Sequence, residues 1–443
     1  MIAFSATQLS ASAQTRLVKN ENGYYLSYNG SPYFVKGVGG EVQLDLAVSI
    51  GANSIRTWGV ENAQQILDQA QAKGLTVMLG LWLQHERHGF DYNDSSKVKR
   101  QLEYFKTIID KYKNHPALLL WGVGNELDLN YSNTNVWYAV QDLAKYIHET
   151  DPNHPTSTVT AGLDSNEVQL ISHRCPDIDI YCVNTYGDIA SVPQHIAAYG
   201  WTGPYMITEW GPNGYWESPQ TSWKVSIEQT STEKKRVYYD RYRQFIEPNT
   251  SHCIGSYAFL WGAKQEYTET WFGLFSKNNE PTEPIDALET VFSGHYPKMG
   301  APTINQLTLN NQPNSSNISL KAGQRYGASV SAGISLNMST QIPDTSGALK
   351  YEWKVLAESD DKKSGGDKEE DASEIRVSIT DKHLPNITLR TPENAGAYRL
   401  FVKITGNGKV AYANVPFLVE ERTAVDGPAH FVQFKRQSMD FSK

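Results

Sequence analysis

The feature that most constrains the fold of this chain is a series of eight short apolar stretches between residues 33 and 261. They are rich in β-branched and aromatic residues and mostly lack polar alternation, a pattern typical of strands that are buried on both faces. The predicted strands are Tyr33–Gly37, Ser54–Trp58, Thr76–Leu83, Leu118–Gly124, Ser157–Ala161, Ile178–Asn184, Tyr205–Trp210 and Ile254–Trp261.

Amphipathic stretches separate these strands. In "VENAQQILDQAQAKG", Ile66, Leu67 and Ala70 share one face, and Gly74 predicts the end of the helix. In "SSKVKRQLEYFKTIIDKYKNHP", Ser95 or Ser96 is the predicted N-terminal cap. Eight strand–helix repeats within one domain predict a (β/α)8 TIM barrel. A doubly wound open sheet is the alternative, but no glycine-rich phosphate loop follows the first strand.

The character of the sequence changes near residue 300. Short strand-like stretches separated by turn residues predict a smaller all-β immunoglobulin-like sandwich, with Trp353 in its core and Tyr398 as a tyrosine-corner residue. The charged stretch 358–374, "ESDDKKSGGDKEEDASE", is interpreted as a solvated hairpin tip. The predicted domains are the barrel at 15–298, the sandwich at 299–422 and a tail at 423–443.

Composition excludes several classes of function. The net charge is −8 and no block of Lys or Arg occurs, which argues against nucleic acid as a partner. No apolar run is long enough to span a membrane. The three cysteines form neither a disulfide framework nor a metal-ligand spacing. Residues 1–14 resemble the remnant of a signal peptide, so we expect a secreted or periplasmic protein, and a monomer.

The active site of a TIM barrel lies at the C-terminal ends of its strands, so the residues at those ends are the candidate functional residues. Carboxylates from two different strands, the fourth and the seventh, are predicted to converge there. The loop after the third strand adds a cluster of charged residues that includes His85. The candidates at the strand ends, in strand order, are Arg56, Asn125 with Glu126, Asn184 with Tyr186, Glu209, and Trp261.

A pair of carboxyl groups is what the cleavage of a glycosidic bond requires. One must be protonated to assist the departure of the leaving oxygen, and the other must be ionised to attack the anomeric carbon. Different surroundings separate the two pKa values. A neighbouring arginine such as Arg56 favours the ionised form of a carboxyl group.

The motifs "WGVGNE" and "ITEWG", 83 positions apart, together with "SIRTW", resemble those of the clan A retaining glycoside hydrolases. The resemblance covers roughly residues 30–295 and is nearest to the family 2-like barrels and β-glucanases. It implies that Glu126 is the acid/base and Glu209 the nucleophile. It further implies that Asn125 binds the sugar 2-hydroxyl and that Arg56 and Tyr186 hold Glu209.

The resemblance assigns one aromatic residue to the sugar, and the chemistry of aromatic rings suggests others. Trp261 would form the floor of the subsite for the reacting sugar, and His85 is either a sugar ligand or part of an internal charge network. Arg56, Tyr186 and Trp261 also have purely structural interpretations, as a buried ion pair, strand-end packing and core. Sugar platforms are expected among a larger set of aromatic residues, about half of which should be core: Trp58, Trp82, Tyr131, Trp137, Trp216 and Trp271.

The leading interpretation is therefore a retaining β-glycoside hydrolase that acts on a β-linked polysaccharide or oligosaccharide, with a β-glucan as the first choice and without a metal or cofactor. Enzymes that cleave β-mannans or β-galactosides, and transglycosylases, share the same strand-end residues. A non-catalytic carbohydrate-binding protein on the same barrel is the alternative from another class, and it would be favoured if one carboxylate were missing. A metal-dependent barrel hydrolase would need His-x-His after the first strand, which is absent from "VKGVGGEVQ".

Overall fold

A small antiparallel sheet, which the sequence patterns did not predict, precedes the barrel. The structure is a computed structural model, and it describes residues 14–343 and 348–421. The sheet contains β1 (Thr15–Asn20), β2 (Gly23–Tyr28) and β3 (Ser31–Tyr33). Leu26 of this sheet packs with Val35, Leu119 and Ile254, which lie at the N-terminal ends of barrel strands. The sheet therefore closes the bottom of the barrel, opposite the predicted active site.

The eight predicted strands form a closed barrel in which all neighbouring strands are parallel, in the order β10-β11-β4-β5-β6-β7-β8-β9. The prediction of a TIM barrel is confirmed. The strands are β4 (Val35–Gly39), β5 (Ser54–Arg56), β6 (Thr76–Leu81), β7 (Leu118–Val123), β8 (Thr156–Ala161), β9 (Ile180–Asn184), β10 (Tyr205–Trp210) and β11 (Cys253–Ala258).

Helices follow the strands and cover the outside of the barrel. They are α1 (Leu44–Ser49), α2 (Ala63–Ala72), α3 (Ser95–Tyr112), α4 (Val136–Thr150), α5 (Ser165–Arg174), α6 (Val192–Ala198), α7 (Ser231–Arg241) and α8 (Pro284–Ser293). The cap of α3 is Asp94 and not Ser95 or Ser96, because the Asp94 carboxylate accepts hydrogen bonds from the backbone N–H groups of Ser96 and Lys97. None of these helices combines the length and the hydropathy that a membrane span requires.

Two sheets follow the barrel and pack face to face, so the prediction of a β-sandwich is confirmed. One sheet has the order β13-β12-β15-β19-β18, with β16 paired to β15, and the other has the order β14-β21-β20-β17. The strands are β12 (Pro302–Leu309), β13 (Gln312–Pro313), β14 (Ile318–Lys321), β15 (Arg325–Ser335), β16 (Gln341–Pro343), β17 (Lys350–Ala357), β18 (Ile379–Thr380), β19 (Asn386–Arg390), β20 (Gly396–Gly406) and β21 (Lys409–Glu420).

The two aromatic residues predicted to organise the sandwich occupy the predicted environments. Trp353 is buried in the core between the sheets, and its indole N–H donates to the carbonyl of Leu384. The Tyr398 hydroxyl donates to the carbonyl of Asn394, 3.0 Å away and four residues upstream, as in a tyrosine corner. The immunoglobulin-like topology itself stays a prediction.

The predicted junction at residues 298–299 lies between α8 and β12. The leader remnant and the tail lie outside the described residues, apart from residue 14. All three cysteines are buried and free, as their spacing predicts.

A buried arginine joins the two domains. The Arg399 guanidinium, on β20, donates to the Glu358 carboxylate, to the Asn414 side chain and across the interface to the backbone carbonyl of Ser226. Asn414 also crosses the interface and donates to the carboxylate of Glu228 at 2.6 Å. The sandwich is thus fastened to the barrel by buried polar contacts.

We expect Arg399→Met to destabilise the protein by about 3–5 kcal/mol, because it leaves the nearly buried Glu358 carboxylate without its partner. Thermal unfolding followed by circular dichroism measures the loss. Arg390→Met is the matched control, because Arg390 forms an exposed ion pair with Glu393, and such pairs contribute less than about 1 kcal/mol. Equal shifts for the two variants would contradict a bracing role of the Arg399 contacts.

Candidate active site

The end of β7 turns sharply and delivers two polar side chains to the mouth of the barrel. Gly124 has a φ of +79°, a left-handed conformation in which a Cβ atom would also lie 2.4 Å from the Leu127 side chain. Glu126 itself has a φ of +48°, which costs about 1 kcal/mol or more for a residue that is not glycine. This turn explains how an apolar strand ends in a carboxylate that reaches the cleft.

The carboxylate of Glu209, on β10, is held by three donors. Arg56 Nη1 lies 3.1 Å and Trp58 Nε1 2.8 Å from Oε1, and the Tyr186 hydroxyl lies 3.0 Å from Oε2. Glu209 is almost fully buried, so these donors provide what an ionised carboxylate needs in place of water. They leave Glu209 oriented and suited to act as a nucleophile.

Arg56 and Asn184 connect the two carboxyl groups. Arg56 Nη2 donates to Asn125 Oδ1 at 2.5 Å, while Nη1 also donates to the carbonyl of Thr208. Asn184 Nδ2 donates to Glu126 Oε1 at 2.8 Å, and Asn184 Oδ1 accepts from Arg56 Nη1 at 3.3 Å. The chain of contacts from Glu126 through Asn184 and Arg56 to Glu209 fixes the two carboxyl groups relative to each other.

The surroundings of Glu126 favour its protonated form. Burial raises the pKa of Glu126 to about 8, and the negative charge of Glu209 adds to the shift, while the hydrogen bond from Asn184 opposes it. At neutral pH, Glu126 is a proton donor next to a carboxylate that is surrounded by hydrogen-bond donors. This is the division of labour that general acid catalysis with a separate nucleophile requires.

Both carboxyl groups line a cleft of about 1020 Å³ at the C-terminal end of the barrel. The volume lies at the upper end of the usual range for a small-molecule pocket. Of the predicted sugar platforms, Trp58, Trp82 and the exposed Trp216 line this cleft. Trp137 and Trp271 are instead buried in the protein core, and Tyr131, which is partly buried against it, donates to Glu167.

The prediction that Trp261 forms the floor of a sugar subsite is wrong. Its side chain is 1% exposed, and its indole N–H donates to the carbonyl of Val42 at 2.7 Å. Its ring packs edge-on against Phe275. The chain after β11 turns Trp261 back into the core, and Phe259 and Leu260 line the cleft from this loop.

His85 is not a sugar ligand in this structure, because it is 1% exposed and does not line the cleft. Burial lowers the pKa of His85 to about 4, so its imidazole is neutral at pH 7. The Nε2–H group donates to the backbone carbonyl of Asn125, 2.7 Å away. His85 therefore supports the turn that carries Asn125 and Glu126.

The charged stretch 358–374 is not a solvated hairpin tip. It extends from the end of β17 to the barrel, where Ser364, Gly365 and Gly366 line the same cleft as the two carboxyl groups. The high charge of this stretch led to the prediction that it is exposed to solvent. Some of these charges instead pair with barrel residues, as Asp367 does with Arg87 and His88. We call residues 358–374 the bridging loop.

Several residues of the cleft were given no role from the sequence. Asn184 was recognised at a strand end, but its link between Glu126 and Arg56 depends on side-chain geometry that the sequence does not reveal. Lys264 and Glu266 follow β11 and form an ion pair in the cleft at 3.2 Å, and Glu217 lies on the loop after β10. The described residues contain no cluster of three or more His, Cys, Asp or Glu side chains arranged for a metal ion.

Comparisons with known proteins identify relatives of this chain. Human β-glucuronidase is 21% identical over 179 residues, covering 36% of this chain and 26% of that protein. The β-glucuronidase of Paenibacillus borealis is 25% identical over 332 residues, covering 64% of this chain and 53% of that protein. This chain thus spans only a quarter to a half of these relatives.

Among solved structures, the GH2 β-galacturonidase from Eisenbergiella tayi bound to galacturonate has a similar fold. Its TM-score is 0.50 at 16% identity, and the match covers 64% of this chain and 54% of that one. The sequence pattern described as "Glycosyl hydrolases family 2, TIM barrel domain" matches residues 41–288, more than half of the chain. The parallel barrel, with its carboxyl groups at the ends of β7 and β10, therefore belongs to a member of glycosyl hydrolase family 2.

Proposed function

We propose that this protein hydrolyses β-glycosides with retention of configuration, with Glu126 as acid/base and Glu209 as nucleophile. The observation that carries the proposal is the opposite character of the two carboxyl groups. Glu126 has a raised pKa, whereas Glu209 receives hydrogen bonds from Arg56, Trp58 and Tyr186. Membership of family 2 supports the same reaction.

In the first step, Glu209 attacks the anomeric carbon while Glu126 gives its proton to the departing oxygen. The product is a glycosyl-enzyme ester. Loss of the proton makes Glu126 a base, which then activates the water that hydrolyses the ester and returns the proton to Glu126. Asn125, held by Arg56 and by His85, is the proposed partner of the sugar 2-hydroxyl.

For the sugar, two candidates rest on different observations. The named activities of the relatives, β-glucuronidase and β-galacturonidase, favour a β-hexuronide, and Lys264 would then bind its carboxylate. A neutral β-glucoside is the second candidate, because Lys264 already contacts Glu266 and the carbonyl of Gly366. The carboxyl groups of Glu217 and Glu266 also line the cleft, and carboxylates there would repel an anionic sugar.

A panel of 4-nitrophenyl β-glycosides distinguishes the two sugars. If the substrate is a hexuronide, we expect Lys264→Met to reduce kcat/KM for the glucuronide about tenfold or more relative to the glucoside, because one charge-assisted hydrogen bond is lost. If the substrate is a neutral glucoside, the wild-type protein should hydrolyse the glucoside faster than the glucuronide, and Lys264→Met should leave this preference unchanged. Hydrolysis of no member of the panel would contradict the proposed function.

Azide rescue tests the two carboxyl roles separately. Glu126→Ala removes the proton donor, so substrates with good leaving groups should still form the glycosyl-enzyme, and azide should convert it to a product of retained configuration. Glu209→Gly removes the nucleophile, so azide should attack directly and give the inverted glycosyl azide. Proton NMR of the anomeric signals reads the outcome, and interchanged stereochemistry would show that the roles are reversed.

The raised pKa of Glu126 also predicts a pH-dependent effect on stability. The folded protein retains the Glu126 proton up to about pH 8, whereas the unfolded chain releases it near the ordinary value of 4.5. This contribution to stability is therefore complete below pH 4.5 and is lost as the pH rises towards 8. Glutamine does not titrate and can still accept the hydrogen bond from Asn184. The thermal midpoint of Glu126→Gln minus that of wild type should therefore grow from pH 4.5 to about 8 and then level off.

Differential scanning fluorimetry across this pH range measures the difference. Glu370→Gln, at an exposed position of the bridging loop, is the control for the removal of one carboxyl group. A difference between Glu126→Gln and wild type that does not change with pH would contradict the protonated state assigned to Glu126.

A further inference from the structure

The bridging loop belongs to the sandwich in sequence but forms part of the cleft. Ser364, Gly365 and Gly366 line the cleft together with Glu126 and Glu209. Both glycines have left-handed backbone conformations, with φ of +66° and +68°. A Cβ atom on Gly365 would lie 2.6 Å from the Leu129 side chain, so the loop backbone approaches the barrel closely.

One side of the bridging loop is attached to the loops that follow β6 and β7. The Asp367 carboxylate accepts a hydrogen bond from His88 Nε2 at 2.8 Å and lies 3.5 Å from Arg87 Nη2. Arg87 also donates to the carbonyl of Gly365, and Asn130 Nδ2 donates to the Ser364 hydroxyl at 3.2 Å.

The other side is attached to the loops that follow β10 and β11. Glu369 is 4% exposed, and its carboxylate accepts from the backbone N–H of Tyr267 at 2.6 Å and of Lys363 at 3.0 Å. The Tyr215 hydroxyl donates to the carbonyl of Lys363, and the Lys264 ammonium donates to that of Gly366.

These two sets of contacts lie on opposite edges of the barrel. In the ring of eight strands, β6 and β10 stand four places apart, and so do β7 and β11. The bridging loop therefore crosses the mouth along a diameter. The residues that line the rest of the cleft come largely from the loops after β8, β9 and β10, such as Gly162, Asp188 and Trp216, whereas the β4–β5 half of the ring contributes Trp58. The cleft is thus walled on one side and extends towards β8 and β9 on the other.

A cleft with one closed end accepts the end of a sugar chain but does not let a chain lie across it. We propose that the bridging loop determines specificity, by blocking the passage of a polysaccharide across the barrel mouth and restricting cleavage to the terminal sugar. This inference rests on the proposed function, and it adds the element of the second domain that sets which bond of a sugar chain is cleaved.

The test compares two neighbouring carboxylates of the bridging loop. Glu369→Ala removes the buried contact to Tyr267, whereas Glu370→Ala removes an exposed carboxylate of the same charge and is the matched control. A third variant replaces residues 362–368 with a shorter Gly-Ser linker, which opens the mouth directly. Each is assayed with the 4-nitrophenyl glycoside that wild type hydrolyses and with reduced β-linked oligosaccharides of the same sugar.

Wild type and Glu370→Ala should release only the monosaccharide from oligosaccharides. The shortened variant should also release products of two or more units, and Glu369→Ala should show the same change to a smaller extent. The kcat/KM of Glu369→Ala for the 4-nitrophenyl glycoside should fall roughly tenfold, because the wall of the sugar site is displaced. Trypsin should also cut at the loop lysines faster in Glu369→Ala than in Glu370→Ala, which reports on loop attachment without requiring activity.

Identical product patterns in all active variants would overturn the role of the bridging loop while leaving the proposed function intact. Release of products of two or more sugar units by wild type would also overturn the role of the bridging loop and leave the proposed function intact. Failure of wild type to hydrolyse any β-glycoside would instead overturn the proposed function, and these outcomes are distinguishable within one experiment.

Discussion

The site depends on one buried guanidinium group. Arg56 lies at the end of β5, is 2% exposed, and contacts Glu209, Asn125, Asn184 and the backbone of β10 through its two terminal nitrogens. A positive charge in such a place is tolerated only because every direction offers an acceptor or an opposite charge. In turn, each of these partners is oriented by Arg56, so side chains from four strands act as one unit. Arg56 therefore holds the polar side chains of the cleft in position before a substrate binds.

The arrangement separates the environments of two chemically identical groups. Glu209 accepts hydrogen bonds from an arginine, an indole N–H and a phenol hydroxyl. Glu126 accepts one hydrogen bond, from an amide N–H, and faces the negative charge of Glu209. The left-handed turn at Gly124 places Glu126 where this asymmetry arises. Strain in the backbone and burial of a carboxyl group both cost stability, and both are features that active sites commonly retain.

Much of the barrel and of the candidate site could be predicted from the sequence, because the patterns that reveal them are local in the chain. Buried parallel strands are continuous apolar runs, and the residues that end such a run lie at the barrel mouth, so the positions of Arg56, Glu126 and Glu209 could be predicted from the sequence alone. Trp261 was misassigned because the direction of the chain after β11 is set by packing against Phe275, which no local pattern encodes. His85 was left between two interpretations because its partner is a backbone carbonyl 40 residues away. The bridging loop was misread because its composition is that of a solvated turn, while its acceptors and donors lie on the other domain.

The bridging loop also bears on the order in which this protein becomes functional. Gly365 and Arg87, which touch in the native structure, are separated by 278 positions in the chain. During synthesis, the barrel strands and both carboxyl-bearing ends leave the ribosome well before the loop exists. Domains generally fold as units and from the N-terminus onwards. We therefore expect the mouth of a nascent barrel to stay open at this edge until the sandwich has folded and docked.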